Sequence, residues 1–178
     1  MPSKNSIITT IQHPDLRLRE INDGDLENLR NWKNANKNSF FLNQDITPDQ
    51  QRSWYNKFSE RGEDHMFIVE QEFDGKWESI GCMGYRYLEE ESCVDGYNII
   101  RARKLEQASF SMSEAFKLML AFAASNYPAI PVQVKVLSQN PAVEWYEKNG
   151  FGIIAREKEY VLMQMDKSQL NQINWSIN

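Results

Sequence analysis

Val134-Lys135-Val136-Leu137-Ser138-Gln139-Asn140-Pro141-Ala142-Val143-Glu144-Trp145-Tyr146-Glu147-Lys148-Asn149-Gly150-Phe151 reads as a buried strand, a capped short helix and a glycine stop that feeds another strand. Asn140 is placed to cap the helix, because its side-chain oxygen can accept from an amide about one turn on. Pro141 follows at the first helical position, where its missing N–H costs nothing. Val143 and Tyr146 fall on one face of that helix. Gly150 suits the left-handed residue that ends it.

Working outward, the same physical signals divide the rest of the chain. Upstream, residues 111–126 form the longest helical pattern, with Ala115, Phe116, Leu118, Met119, Phe122 and Ala123 on a broad apolar face. Its start, Ser111-Met112-Ser113-Glu114, is a capping box. Strand patterns cover residues 16–21, 66–70, 79–88 and 92–100. Asp74-Gly75 marks a hairpin turn between two of them. Gly81 and Gly84 lie inside the third, and Glu89-Glu90-Glu91 turns into the fourth. Leu26, Leu29 and Trp32 recur at helical spacing behind Asp23, a candidate cap. Thr47-Pro48-Asp49-Gln50 is a second capping box, opening a helix that carries Trp54 and Phe58. Downstream, residues 152–160 and 160–165 read as the last two strands. The predicted whole is α/β (α+β): a mixed central sheet of about seven strands flanked by about four helices, in the order β-α-α-β-β-β-α-β-α-β-β. It forms one domain over residues 1–178, with a core at about 15–166. The polar tail 167–178, carrying Leu170, Ile173 and Trp175, is read either as a docked helix or as frayed.

Composition narrows the function class. The chain of 178 residues is 41% hydrophobic and 25% charged, which suits a globular domain. No apolar run approaches the ~18 residues of a membrane span, and the N-terminal stretch lacks the pattern of a secretory signal. A cytoplasmic location is the expectation. The net charge of −5 argues against nucleic acid as a partner. Cys82 and Cys93 are placed on neighbouring strands as buried small hydrophobes. His13 and His65 stand in no metal-ligand spacing, so no metal is expected.

The Asn140–Gly150 segment and the element order resemble the GNAT acetyltransferases, which move acetyl from acetyl-CoA to an amine. The resemblance covers nearly the whole chain. It implies acetyl-CoA as co-substrate and a primary-amine acceptor, with direct attack in a ternary complex. It places Tyr146 as the acid that protonates the leaving thiolate, and Asn140 beside the CoA arm. A splayed fourth strand would offer a backbone amide near Ile99 or Ile100 to the thioester carbonyl. In the family the CoA pyrophosphate lies on the loop before the long helix, in the pattern Gln or Arg, two residues, Gly, one residue, Gly or Ala. Here Gln107-Ala108-Ser109-Phe110-Ser111-Met112 stands in that place. Gln107 fits, whereas Phe110 and Met112 stand where small residues are expected. Glu114 adds a negative charge to the first helical turn.

Three readings of the loop remain. Arg101, Arg103 and Lys104 replace the glycine-rich amides with side-chain contacts, since arginine suits phosphate; or the loop has lost its ligand, and the protein is a non-catalytic binder on the same scaffold; or these charges are a solvated loop. If the loop serves CoA, glycine at Phe110 and Met112 should tighten binding.

Trp32-Lys33-Asn34, Phe40-Phe41 and Trp54 resemble one branch of the family, which includes acetyltransferases of nucleotide-linked aminosugars and of ribosomal-protein N-termini. Trp32 and Asn34 are thereby candidate acceptor-binding residues, and Lys33 replaces the branch's usual Arg. The acidity of the chain favours a cationic amine. Asp95 and Glu70 are candidate bases. The expected assembly is a monomer or homodimer.

Overall fold

The computed structural model describes residues 6–178. Its strands are β1 (Ile7–Thr9), β2 (Leu16–Glu20), β3 (Asp64–Phe73), β4 (Lys76–Leu88), β5 (Cys93–Arg101), β6 (Val132–Leu137), β7 (Phe151–Arg156), β8 (Tyr160–Met165) and β9 (Ser176–Ile177). Its α-helices are α1 (Leu26–Ala35), α2 (Pro48–Glu60), α3 (Met112–Asn126) and α4 (Ala142–Lys148). The strands join in one sheet of order β7-β8-β6-β5-β4-β3-β2-β1-β9. Neighbours run antiparallel except β5 and β6, which are parallel.

The sheet has nine strands where the sequence predicts about seven. The two additions, β1 and β9, pair with each other at one edge. They are three and two residues long, too short to show a period of their own. The tail is neither a docked α-helix nor wholly detached. A 3₁₀ turn, Lys167–Leu170, buries Leu170. Trp175 then sets its ring edge-on to Phe122 at 5.4 Å, and β9 follows.

Both faces of the sheet are covered, which explains why β3 is buried along most of its length. Phe67 and Val69 point to the face packed by α3 and α4, within the larger apolar cluster. Met66 and Ile68 point to the other face, with Leu26 and Leu29 of α1 and Phe58 of α2. The period-two alternation of a strand thus feeds two cores at once.

Local signals set the joints. Thr47 Oγ1 accepts from the Gln50 amide at 3.2 Å while Gln50 reaches back to the Thr47 amide, completing the capping box. Asp74 (φ 49°) and Gly75 (φ 74°) both turn left-handed, as the tight hairpin between β3 and β4 requires. One cap differs from expectation. Asn22, not Asp23, caps a short 3₁₀ turn that leads into α1, and α1 itself has no side-chain cap.

Two irregularities in β5 shape the site. The first is a bulge against β4, where Cys82 faces Ile100 but Gly84 faces Tyr97. Asn98 takes φ 51° there. The chains approach so closely that a Cβ on Gly81 would stand 2.1 Å from the Ile100 carbonyl oxygen. The second is a parting from β6. The two strands pair only at Val94–Val132 and Asp95–Gln133. Beyond that β5 has no partner strand on this side, and β6 continues alongside β8 instead.

Candidate active site

The parting of β5 and β6 opens a cleft of about 970 Å³. Leu29 and Lys33 of α1, Phe40 of the following loop and Trp54 of α2 form one wall. Tyr97, Asn98, Ile99, Ile100 and Arg101 of β5 line the floor, and Lys135, Asn140 and Tyr146 close the opposite side.

Tyr146 reaches the cleft because α4 lays its ring among Phe116, Trp145 and Phe151, with centroids at 5.8, 5.1 and 5.5 Å. The residue is buried, and its hydroxyl has no hydrogen-bond partner among the described residues. Burial, aided by the nearby Asp95 carboxylate, pushes the phenol well above its ordinary range. It keeps its proton at neutral pH and has it available to give.

Asn140 serves two elements. Its Oδ1 accepts from the Ala142 amide at 2.9 Å, the first amide of α4; Pro141, expected at the first helical position, stands at the cap position instead, where no side chain caps the helix. Asn140 Nδ2 donates to the Ser39 carbonyl at 3.2 Å, tying the loop after α1 across the cleft.

Lys33 is the buried cation of the acceptor-side wall. Its ammonium donates to Asn98 Oδ1 and stands 3.1 Å from the centroid of the Phe40 ring. Burial lowers its pKa to about 8, with nearby Cys82 acting the other way. The bulge supplies the partner, since the left-handed Asn98 carries the amide that Lys33 meets.

Of the two candidate bases, Asp95 lines the cleft and Glu70 does not. Asp95 is held by Arg86, whose Nε donates to Oδ2 at 3.0 Å. Burial raises its pKa, with Arg86 opposing. Glu70 is taken up by Arg17 at 2.5 Å and Arg19 at 3.1 Å, as an ion pair between β2 and β3. Tyr97 donates to Asp64 at 2.6 Å and is likewise raised, by burial first and by Asp64 second.

The structure gathers Ile99, Ile100, Arg101, Asn140 and Tyr146 around the cleft, and leaves Gln107, Ala108, Ser109, Phe110, Ser111 and Met112 outside its lining. Phe110 and Met112 are 6% and 9% exposed and belong to the core beneath α3. Glycine at these positions would therefore remove packing as well as free the backbone. The turn around them is internally bonded. The Ser109 amide donates to Asp15 Oδ2 at 2.8 Å. The Ser111 amide donates to Glu114 Oε2 at 2.7 Å, and the Ser113 amide to Ser111 Oγ at 3.1 Å. Gln71 clamps the Glu106 carbonyl at 2.5 Å and its amide at 3.2 Å.

Trp32 and Asn34 also lie outside the lining. Trp32 packs against the apolar cluster under α1. Asn34 gives both ends of its amide to the Ile46 backbone, at 2.8 and 3.0 Å, which fixes the loop that carries Phe40. Sequence reasoning did not single out Asn98, Tyr97, Arg86 or Lys135. Glycines inside β4 are the signal that could have found the bulge, because they mark close backbone approach.

The sequence profile described as an acetyltransferase (GNAT) domain matches residues 15–152. The chain belongs to the GNAT acetyltransferase family. Among solved structures, the GNAT fold of this chain is similar to apo FdhC, a nucleotide-linked sugar GNAT, at TM-score 0.73 and 16% identity over 92% of this chain and 93% of that one. It is similar to a domain from Methanocaldococcus jannaschii at TM-score 0.71 and 16% identity, covering 84% and 97%. It is also similar to a mutant form of the spermidine N-acetyltransferase SpeG from Vibrio cholerae, at TM-score 0.67 and 21% identity, covering 89% and 97%. No curated protein matches this GNAT sequence. Among the described residues, no group of three or more His, Cys, Asp or Glu side chains is placed to hold a metal ion, and no helix is long and apolar enough to cross a membrane.

Proposed function

We propose that this GNAT protein is an N-acetyltransferase that uses acetyl-CoA and a primary amine, with the two meeting at the gap between β5 and β6. The observation that carries the reading is the cleft itself. It joins a protonated, unpartnered phenol at Tyr146 to a wall of aromatic and charged side chains under α1 and α2. Residues at the gap suit the thioester end of the donor; those at the start of α3 do not suit its pyrophosphate, because three amides there already have acceptors.

Acetyl-CoA supplies an activated acetyl group. The chain's own contribution is to hold acceptor and donor together, a proximity effect that removes much of the barrier. Ile99 or Ile100 would offer an amide to the carbonyl, and Tyr146 would supply the proton that the departing sulfur needs. The acceptor amine must arrive without its own proton; of the carboxylates that line the cleft, Asp45, Glu91 and Asp95, the last lies on β5 at the gap and is the candidate to take it.

For the acceptor, the charges of the cleft favour an aminosugar linked to an anionic group, or a peptide amine, over a polyamine. The chain as a whole carries −5. Yet Lys33, Arg101 and Lys135 face the cleft with no carboxylate partner among the described residues, whereas of its carboxylates Asp45 is paired with Lys37 and Asp95 with Arg86, which leaves Glu91 against three cations. The Lys135 ammonium stands 4.2 Å from the Tyr160 ring centroid instead. A polycation would meet these groups unfavourably. Similarity to a nucleotide-linked sugar GNAT supports the same direction.

A second reading, a non-catalytic binder on the GNAT scaffold, draws on the filled amides at the start of α3. An acetyl-transfer assay with a nucleotide-linked aminosugar, a peptide amine and spermidine separates them. The expected result is turnover, highest for the aminosugar and lowest for spermidine. An absence of acetylated product with every amine would leave the binder reading standing.

A further inference from the structure

We infer that this protein grips its donor by the pantetheine thioester arm alone, so that the nucleotide diphosphate of CoA adds little to binding. The inference rests on the acetyl-transfer reading above and narrows its donor. It is carried by the turn between β5 and α3, which is closed to a diphosphate on three counts.

First, the amides of Ser109, Ser111 and Ser113 and the hydroxyls of Ser109 and Ser111 are already bonded within the protein. Asp15 accepts from both the amide and the hydroxyl of Ser109. Glu114 accepts from the amide and hydroxyl of Ser111, and Ser111 Oγ accepts from the Ser113 amide. A helix start binds an anion through free amides, and here protein carboxylates stand in for the anion. Second, the backbone cannot turn these amides outward cheaply. Phe110 and Met112 are buried in the core on either side of Ser111. Gln71 holds Glu106 by both backbone groups. Third, the local charge is wrong. Asp15 and Glu114 lie where a diphosphate would approach, and both repel it. Of the cations in the preceding loop, Arg103 faces Glu78 at 3.2 Å and Arg101 lines the cleft. Lys104 remains, exposed, and a lone solvated ammonium is screened by salt.

The transfer does not need the nucleotide. The acceptor nitrogen bonds to the acetyl carbon, the C–S bond breaks, the sulfur takes a proton, and the amine's proton passes to a base or to water. A donor bearing acetyl on pantetheine satisfies this chemistry whether the arm ends in a nucleotide or is carried on a protein.

The test is calorimetric titration of the full chain with three donors: acetyl-CoA, acetyl-pantetheine and an acetyl-phosphopantetheine-bearing carrier protein, each followed by turnover with the best acceptor. Dissociation constants for acetyl-CoA and acetyl-pantetheine within about threefold of each other are expected. Tighter binding of the carrier-borne arm would support the inference and name the source; equal binding would support it with the free thioester as source. Acetyl-CoA binding about 30-fold or more tighter than acetyl-pantetheine would overturn it while leaving acetyl transfer intact. No heat and no turnover with any donor would overturn acetyl transfer and this inference together. An Asp15→Asn variant provides an independent check. Removing that charge should tighten acetyl-CoA by about 3–10-fold and leave acetyl-pantetheine unchanged. An equal change for both donors would count against the inference.

Discussion

β5 leads out of one kind of polar environment and into another. In the cleft beside it, groups are left open: the Tyr146 hydroxyl has no partner among the described residues, Lys33 and Lys135 lack carboxylates, and β5 has lost its neighbouring strand. In the turn that follows, the amides of Ser109, Ser111 and Ser113 and the carbonyl of Glu106 are spent on the protein itself, through Asp15, Glu114, Ser111 and Gln71. Buried or half-buried polar groups are normally satisfied. The turn spends its groups on the protein and reads as structure, while the cleft keeps groups that face its open space and reads as a site.

The largest expected effect tests whether the turn is structural. Phe110→Ala should cost roughly 3–5 kcal/mol of stability, the range for a buried phenylalanine truncated to leave a cavity. Denaturant unfolding measures it; a loss under about 1 kcal/mol would mean the turn is not anchored through this ring. On the cleft side, Tyr146→Phe keeps the ring packing and removes only the hydroxyl. Turnover should fall by about 10–100-fold with little change in the acceptor Michaelis constant. Unchanged turnover would take Tyr146 out of the mechanism.

Lys33 gives a pH signature. Its folded pKa, about 8, lies below the ordinary lysine value of 10.5. Between those values the unfolded chain binds the extra proton, so stability should rise as pH climbs through that window. Below pH 8 the burial penalty is fully present. Lys33→Met should flatten the stability profile from pH 8 to about 10.5 and raise the Tm at pH 7 by about 2–4 °C. A profile identical to that of the parent would show that Lys33 keeps an ordinary pKa. The smallest effect belongs to Asn140→Ala, which removes the bond to the Ala142 amide and the link to Ser39 together. The expected loss is about 1 kcal/mol, read from thermal unfolding.

What could be read in the sequence is what is settled locally. Asp74-Gly75 and the boxes at Thr47 and Ser111 each involve partners within a few residues, and all appear in the structure; Asn140 bonds the Ala142 amide, one position off the expected cap. The GNAT fold follows from their order. Long-range features were not legible. Asn34 looks like a cleft residue by motif, but its amide is committed to Ile46, twelve positions away. Lys33 becomes a buried cation only because the bulge at Asn98 brings an acceptor from 65 residues downstream. Phe110 stands at a glycine position of the motif, and only the distant core beneath α3 explains the ring there. β1 and β9 escape any periodic search because they are three and two residues long and are held by pairing with β2 and with each other.

The two cysteines of β4 and β5 give this molecule a clock of its own. Both are free and about 1% exposed. Burial pushes the Cys82 thiol up to about 12 and the Cys93 thiol up to about 11. Neither forms appreciable thiolate at neutral pH, so neither can react until its strand opens. Cys82 sits under the bulge, with its Sγ 3.5 Å from the Asn98 carbonyl, while Cys93 lies where β5 is still paired with β4 opposite Leu88. The rates at which a thiol reagent finds each one would time how often the splayed end of the strand breathes relative to its anchored end.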